Sequence, residues 1–519
     1  GILQENQEAA PTRSAAPKPS RPAVGGPFVY ALPQEPATLD AQIEPDDTVM
    51  NYLGSTLVAF SPDGQYVPYL AESWQTSSDG LTWTFQLKKG VKFHDGALLT
   101  AHDFVWTFNR AMQMDPAVSI ARAFLGPIQS VDAPDDYTLR LVLREPFFPL
   151  LFNLSTAWTQ PLEQAAVEKW GQVYGKHPIG VGPLKFKEWK PGEKIVFERN
   201  PDFNWAPAFT HPGPWYIDNM EFRIIPDYGT AIAGLEAGIV DYFPNLQAND
   251  IALIHDTGNF QIFEPLAPGL DPMVIFNSSI PPFNDVRVRR AFNLAVNREL
   301  MIQLVTLGNA MPQNGPLTPT QHGYWPGVEE IGYRYNLAEA RALMAQAGYT
   351  PGRDGILIKD GKPLKVVIET VDIDRYVRTC KILQEQLRAL GVDLQIRLME
   401  QDASDQDLLA GNFEMSMGRT THPEADHMYI IFSANSLHIG RIQDAALQDL
   451  LNKTRTTIDP EQRQVWVNKT QKYITEQAYY LLLYIPKTFL PLSNRVKGAV
   501  FDNASGIVRF DDAYIHTDQ

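Results

Sequence analysis

Residues 66–112 read YVPYLAESWQTSSDGLTWTFQLKKGVKFHDGALLTAHDFVWTFNRAM. From Leu81 to Phe93 the odd positions carry Leu81, Trp83, Phe85, Leu87, Val91 and Phe93, broken only by Lys89. The even positions carry Thr82, Thr84, Gln86, Lys88 and Lys92. A period of two predicts strands with one buried face. Lys88-Lys89-Gly90 predicts a tight turn between two of them, with Gly90 free to take a positive φ. A helix is expected next. Thr100 stands at its N-cap, with Asp103 three residues on as a capping-box partner. Phe104, Val105, Phe108, Ala111 and Met112 then recur at helical spacing. Strands feeding a capped amphipathic helix make a compact α+β unit.

Outward from this unit, the composition sets bounds. A chain of 519 residues is too long for one core and implies two or three domains. Apolar content of 44% and charged content of 20% fit an ordinary globular protein. No apolar run reaches the roughly 18 residues a membrane-spanning helix needs. The formal charge of −16 argues against nucleic acid as a partner. A single cysteine, Cys380, excludes internal disulfides. It sits on a stripe with Tyr376, Leu383, Leu387 and Leu390, which marks it as core. The first residues, GILQENQEAAPTRSAAPKPSRP, are rich in Ala, Pro, Ser and Gln without an apolar period. Residues 1–24 read as a disordered linker or tether. No charged-then-apolar signal peptide precedes them, so the chain reads as already processed.

The wording of the opening stretch is less common than its pattern. Leu70-Ala71-Glu72-Ser73-Trp74, Asp79-Gly80-Leu81-Thr82-Trp83-Thr84-Phe85, Phe93-His94-Asp95-Gly96 and Thr100-Ala101-His102-Asp103-Phe104 resemble one family closely. It is the extracytoplasmic solute-binding proteins of the peptide/nickel class, family 5, which serve ABC importers. Further matches follow in the family's order. They include Arg199-Asn200-Pro201-Asp202-Phe203, Leu235-Glu236-Ala237-Gly238, and the run from Pro282 to Arg298. Asn297 stands where the family usually has Asp.

The resemblance implies an α/β, two-lobed periplasmic-binding-protein fold (type II, cluster C-like), with an extra α+β domain inserted in lobe one. Lobe one is expected to hold residues 25–60, 180–270 and 490–519. The inserted domain takes 61–179, and lobe two takes 271–489. The implied partners are a small-molecule or peptide ligand and the membrane permease of an ABC importer. The chain is expected to be a monomer, periplasmic or at the cell surface, with a lipid anchor on a Cys ahead of the tether. The pattern of residues independently predicts a helix-like segment over 51–60. Helix-Gly-strand runs after Asn336 and Tyr376 argue for an α/β lobe there.

Motifs for chemistry are missing. The sequence has no G-x-S-x-G, H-E-x-x-H or G-x-x-x-x-G-K-[ST]. No catalytic residue, metal site or cofactor is expected, and the reading is not an enzyme. A secreted hydrolase is the alternative of another class, since paired carboxylates leave no sequence signature. His422-Pro423-Glu424-Ala425-Asp426-His427 is the one cluster of metal-capable side chains, at a spacing that matches no strong metal motif.

The same loop matters to the ligand. In peptide-binding relatives this region carries an Asp that pairs with the ligand's α-amino group, in a stretch resembling "DYPDP". Here it reads Gly418-Arg419-Thr420-Thr421-His422-Pro423-Glu424-Ala425-Asp426, without the Asp-Tyr pair. Glu424 or Asp426 is the expected substitute, and Arg419 the expected holder of a carboxylate or phosphate. Thr421 and His422 complete the loop's candidates. Gln34, Trp158 and Asn245 are the candidates from lobe one and the inserted domain, with Trp158 placed to stack on a guest. Peptides come first as ligands. Oligosaccharides, opine-like conjugates and metal chelates remain open.

Overall fold

The computed structural model describes residues 27–503 and 505–516. The expected tether at 1–24 lies outside the described residues.

Three sheets carry the architecture. The first runs in the order Phe28–Leu32, Asn219–Ile224, Lys194–Arg199, Leu184–Lys190. Its first pair is parallel, with Phe28 opposite Met220 and Leu32 opposite Ile224. Phe28–Leu32 is buried along its whole length, as a strand covered on both faces must be. Bridges from Tyr30 to Tyr242 and from Tyr242 to Leu492 tie the late strand Leu490–Ser493 to this sheet. The chain therefore returns to lobe one near its end.

The second sheet is antiparallel, in the order Ala71–Thr76, Thr82–Leu87, Thr138–Leu143, Ile128–Asp135. Helix Ala101–Gln113 packs on it. The capping box forms: the Thr100 N–H donates to Asp103 Oδ2 at 2.7 Å. The period of two does not make a hairpin over 81–93, however. Strand Thr82–Leu87 takes its partners from Ala71–Thr76 and Thr138–Leu143. After Gly90, at φ +79°, the chain forms a loop closed by a bridge from Lys92 to Leu98. Val91 and Phe93 are 1% and 3% exposed all the same. The alternation reported burial, and burial does not require pairing.

Residues 51–60 are also not one helix. A single tight turn, Met50–Tyr52, gives way to strand Val58–Phe60, which pairs with Tyr66–Pro68. Gly54 packs against Gln160, where any Cβ would collide with the Gln160 side chain.

The third sheet forms lobe two, in the order Asp393–Met399, Lys365–Val371, Met415–Thr421, Gly269–Phe276, Tyr480–Leu481. Val274 and Phe276 enter one apolar cluster, and Met273 and Ile275 enter another. Alternate residues of one strand thus feed the two faces of a sheet sandwiched between helices. Lobe one and the inserted segment share a third, contiguous cluster running from Phe28 through Phe85 and Leu141 to Phe222. The two lobes are cored separately, while the insertion is cored with lobe one.

Cys380 is fully buried, and burial pushes its thiol up to about 12. Arg289 is only 5% exposed and donates to the Gln477 and Phe283 carbonyls. Asn297 caps helix Arg298–Thr306, accepting from the Leu300 N–H at 3.0 Å. A cap needs no ion pair, which is why Asn serves there. Among the described residues, no helix is long and apolar enough to cross a membrane.

Candidate ligand-binding cavity

A cavity of about 640 Å³ lies where lobe one, the inserted segment and lobe two meet. Lobe one supplies Tyr30, Asp47, Tyr52, Trp215 and Tyr242. The inserted segment supplies Tyr69, Phe152, Trp158 and Gln160, and Phe60 stands at its boundary with lobe one. Lobe two supplies Thr421, His422 and Pro423, and the C-terminal stretch supplies Asp502 and the run from Ser505 to Asp511. This volume suits a small solute held in a partly open cleft.

The aromatic wall is built by mutual packing. Tyr30 meets Tyr242 edge-on at 4.9 Å, Tyr52 meets Trp215 at 6.0 Å, and Tyr242 meets Phe510 at 5.3 Å. Trp158 stacks on Phe124 at 4.5 Å and donates its indole N–H to the Glu44 carbonyl at 2.8 Å. Its ring is held ready, with orientation settled before any guest arrives. Among the described residues, the hydroxyls of Tyr30, Tyr52 and Tyr242 have no hydrogen-bond partner. The amide Nε2 of Gln160, a residue 2% exposed, has none either.

Charges in the lining are mostly negative. Arg509 is held by Asp511, at 2.8 and 3.0 Å, and lies 3.5 Å from Asp502. Asp47 has no cationic nitrogen within 4.0 Å among the described residues. Burial pushes its carboxyl up to about 6, the Asn51 side chain opposes, and neighbouring Asp46 adds to the rise.

The sequence candidates divide. Trp158, Thr421 and His422 line the cavity. His422 accepts from the Glu424 N–H at 3.2 Å, and its ring faces Phe152 at 5.1 Å. Gln34 and Asn245 are exposed and lie outside the lining. Arg419 is exposed two residues before Thr421, outside the lining, on the side of the sheet where Tyr376 feels its charge.

Glu424 and Asp426 do not reach the cavity. They are 1% and 3% exposed, and each is taken by an arginine. Arg463 bonds Glu424, and Arg455 holds Asp426 with two bonds of 2.7 and 2.8 Å. The expected carboxylate substitutes are thus ion-pair members in the lobe-two core. Pro423 tucks them inward by placing its carbonyl on the His322 N–H at 2.8 Å. His427, the other imidazole of the cluster, is buried between Gln321 and Thr420. Among the described residues, no three His, Cys, Asp or Glu side chains converge as a metal would need.

The lobe-one half of the lining was not anticipated. Asp47 and Tyr52 there, and Gln160 in the inserted segment, carry no motif. The one usable signal was the pair Asp46-Asp47 ahead of an aromatic-bearing turn, a weak one.

Comparison with known proteins agrees with this geometry. Residues 65–436 match the family model described as bacterial extracellular solute-binding proteins, family 5 Middle. The oligopeptide-binding protein AppA of Bacillus subtilis (strain 168) is 27% identical over 514 residues, covering 93% of this chain and 91% of its own. The heme-binding protein A of Haemophilus influenzae is 27% identical, over 95% and 93%. The structure of Bacillus subtilis AppA with a nonapeptide superposes with a TM-score of 0.78 at 25% identity, covering 96% of this chain and all of that one. NikA from Brucella suis, bound to Fe(III)-EDTA, superposes at 0.82 with 23% identity, covering 95% of this chain and all of that one, a likeness of fold. With a two-lobed frame, a cavity between the lobes and a family match across most of the chain, the protein belongs to the bacterial extracellular solute-binding proteins of family 5.

Proposed function

We propose that the chain is the capture component of an ABC importer, and that it takes a peptide or peptide-like solute between its lobes and hands it to the membrane permease. One observation carries the reading: lobe one and the Thr421–Pro423 loop of lobe two line the same cavity. A guest there touches both lobes at once, so it stabilises the closed form by the difference in its affinity for the two states. The peptide choice is supported by relatives named for oligopeptides and di/tripeptides. Trp158, Thr421 and His422 are the contacts carried forward from the sequence. The units 25–60 with 180–270 and 490–519, 61–179, and 271–489 move as two bodies, the second unit travelling with lobe one. The chain acts as a monomer, tethered by a lipid outside the cytoplasm, and no bond of the guest is made or broken.

Small-angle scattering and thermal denaturation with di- to nonapeptides test this. Compaction and a raised melting temperature are expected from at least one peptide length. No response across peptides, but a response to an oligosaccharide or a chelate, would move the ligand class and leave the capture role standing. Hydrolysis of any compound would overturn the role itself.

A further inference from the structure

Most carboxylates inside this protein are already engaged. Glu424, Asp426, Asp241 and Asp271 are each bonded to an arginine. Asp47 differs. It faces the cavity, and among the described residues Asn51 is the one side chain that bonds it. The carboxylates nearest to it in chain and space only add negative charge. Glu44 is bound to the Asp46 N–H at 3.1 Å, and Asp46 is exposed beside it. Across the cavity, Asp502 and Asp511 occupy Arg509. The phenols of Tyr30 and Tyr52 face Asp47 closely enough that its charge helps push them up, after the larger effect of their own burial. Among the described residues, the lining holds three carboxylates, one guanidinium and no ammonium.

Asp47 is half-buried, and a carboxylate that loses part of its hydration without gaining a cation is costly. Aromatic faces around it attract the same kind of guest, a cation partly stripped of water. The unpartnered Gln160 Nε2 adds a donor, which a carbonyl oxygen satisfies. Gln160 packs on Gly54, in the segment that begins at Asp47.

Resting on the capture reading above, we propose that Asp47 is the counter-ion for a protonated amine of the ligand, seated in lobe one against Tyr30, Tyr52 and Tyr242, with Gln160 donating to a carbonyl of the same ligand. The amine of an unblocked peptide or an amino-acid amide has this chemistry; a dicarboxylate does not. The ligand's positive end lies in lobe one, and the Thr421–Pro423 loop closes over the rest.

The test uses matched probes: trialanine against N-acetyl-trialanine, alaninamide against N-acetylalaninamide, and glutarate, titrated into the full chain and into D47N. Wild type is expected to bind an unblocked member at least about thirtyfold more tightly than its acetylated twin, the usual loss when a buried charge is left without its partner. D47N is expected to erase the difference. Wild-type affinity for the amine is expected to fall as pH drops from 7.5 to 5, since the Asp47 carboxyl protonates near 6, and D47N is expected to stay flat. A second measurement needs no ligand: D47N without probe should melt at or above the wild-type temperature at pH 8, because an uncompensated charge has been removed. Acetylated probes or glutarate binding as well as amines, or D47N keeping the preference, overturns the proposal alone. So does a lower melting temperature for unliganded D47N at pH 8, which would make Asp47 a structural cap. No binding by either member of any pair overturns the peptide-capture reading along with it.

Discussion

The backbone N–H of Phe148 donates to the carbonyl oxygen of Arg455 at 2.7 Å. Phe148 belongs to the inserted segment and Arg455 to lobe two, so the bond ties these two stretches directly. Cations reinforce it: the Arg463 guanidinium lies 4.1 Å over the Phe148 ring, and that of Arg455 lies 5.2 Å over Phe147. Phe148→Ala keeps the backbone bond and removes one ring. A partly desolvated cation–π contact is worth about 1–2 kcal/mol, so ligand affinity should fall about five- to thirtyfold with little change in the melting temperature of unliganded protein. Scattering at subsaturating ligand should show a larger radius than wild type. An unchanged binding curve would mean that this seam is not part of closure.

Both members of the Glu424–Arg463 pair belong to lobe two, and both are under 5% exposed, with the Arg463 guanidinium covered by Phe148. Burial alone would raise the Glu424 carboxyl, but Arg463 and the Asp426 N–H outweigh it and hold it below the ordinary glutamate range. A depressed carboxylate contributes stability that is present above its unfolded value and lost as pH falls through the folded one. Glu424→Ala at pH 7 should cost about 3–5 kcal/mol by stranding a buried guanidinium. Urea titrations should show the gap between variant and wild type shrinking once pH falls below the usual carboxylate range. A constant gap down to pH 2 would contradict the assignment.

These pairs also mark how far the sequence could be read. The alternation from Leu81 to Leu87, the Thr100–Asp103 cap and the helical stripe around Cys380 depend on neighbours, so they were legible and they formed. Glu424 and Asp426 were legible as carboxylates in the right loop. Their fate was not, because their arginines stand 39 and 29 residues further on. The cavity was hidden for the same reason. Tyr30, Asp47, Gln160, Tyr242 and Asp511 come from five separate stretches and meet only when two sheets are in place.

His94, from the Phe93-His94-Asp95-Gly96 signature, fastens the insertion to lobe one. Its Nδ1 accepts from the Gly180 N–H at 3.2 Å, so its Nε2 is the nitrogen that donates to the Gly182 carbonyl at 3.1 Å. Burial pushes the imidazole down to about 4, with Lys185 adding to the fall and the Gly182 bond opposing it. The neutral ring is the folded form. Its stability is complete above pH 6.5 and is lost as pH falls toward 4. Stability at pH 5 should be about 1–2 kcal/mol below that at pH 7.5 from this residue. The His94→Gln variant should be less stable at pH 7.5 but lack that part of the slope.

Gly182 sits at the same joint, where backbone meets backbone. Its N–H donates to the Leu53 carbonyl at 2.9 Å, and its own carbonyl also accepts from the Asn200 amide at 3.0 Å. A Cβ here would come within 2.5 Å of the Leu53 carbonyl and 2.7 Å of the Gly54 nitrogen. Neither is the tip of a flexible side chain, so Gly182→Ala must push the 53–54 backbone away. Overpacking of this kind costs about 1–3 kcal/mol. The shift is not confined to stability. Gly54 and Ser55 line the cavity, and Gln160 rests on Gly54. Affinity should therefore fall along with melting temperature. Gly229→Ala is the matched control: it lies in helix Tyr228–Glu236 and would meet only Asp227 Oδ1 at 3.5 Å. There alanine should be neutral or add up to about 1 kcal/mol through helix propensity, with ligand affinity unchanged. If both glycines tolerate alanine equally, the close approach of 180–182 to Leu53 does not shape the cavity wall.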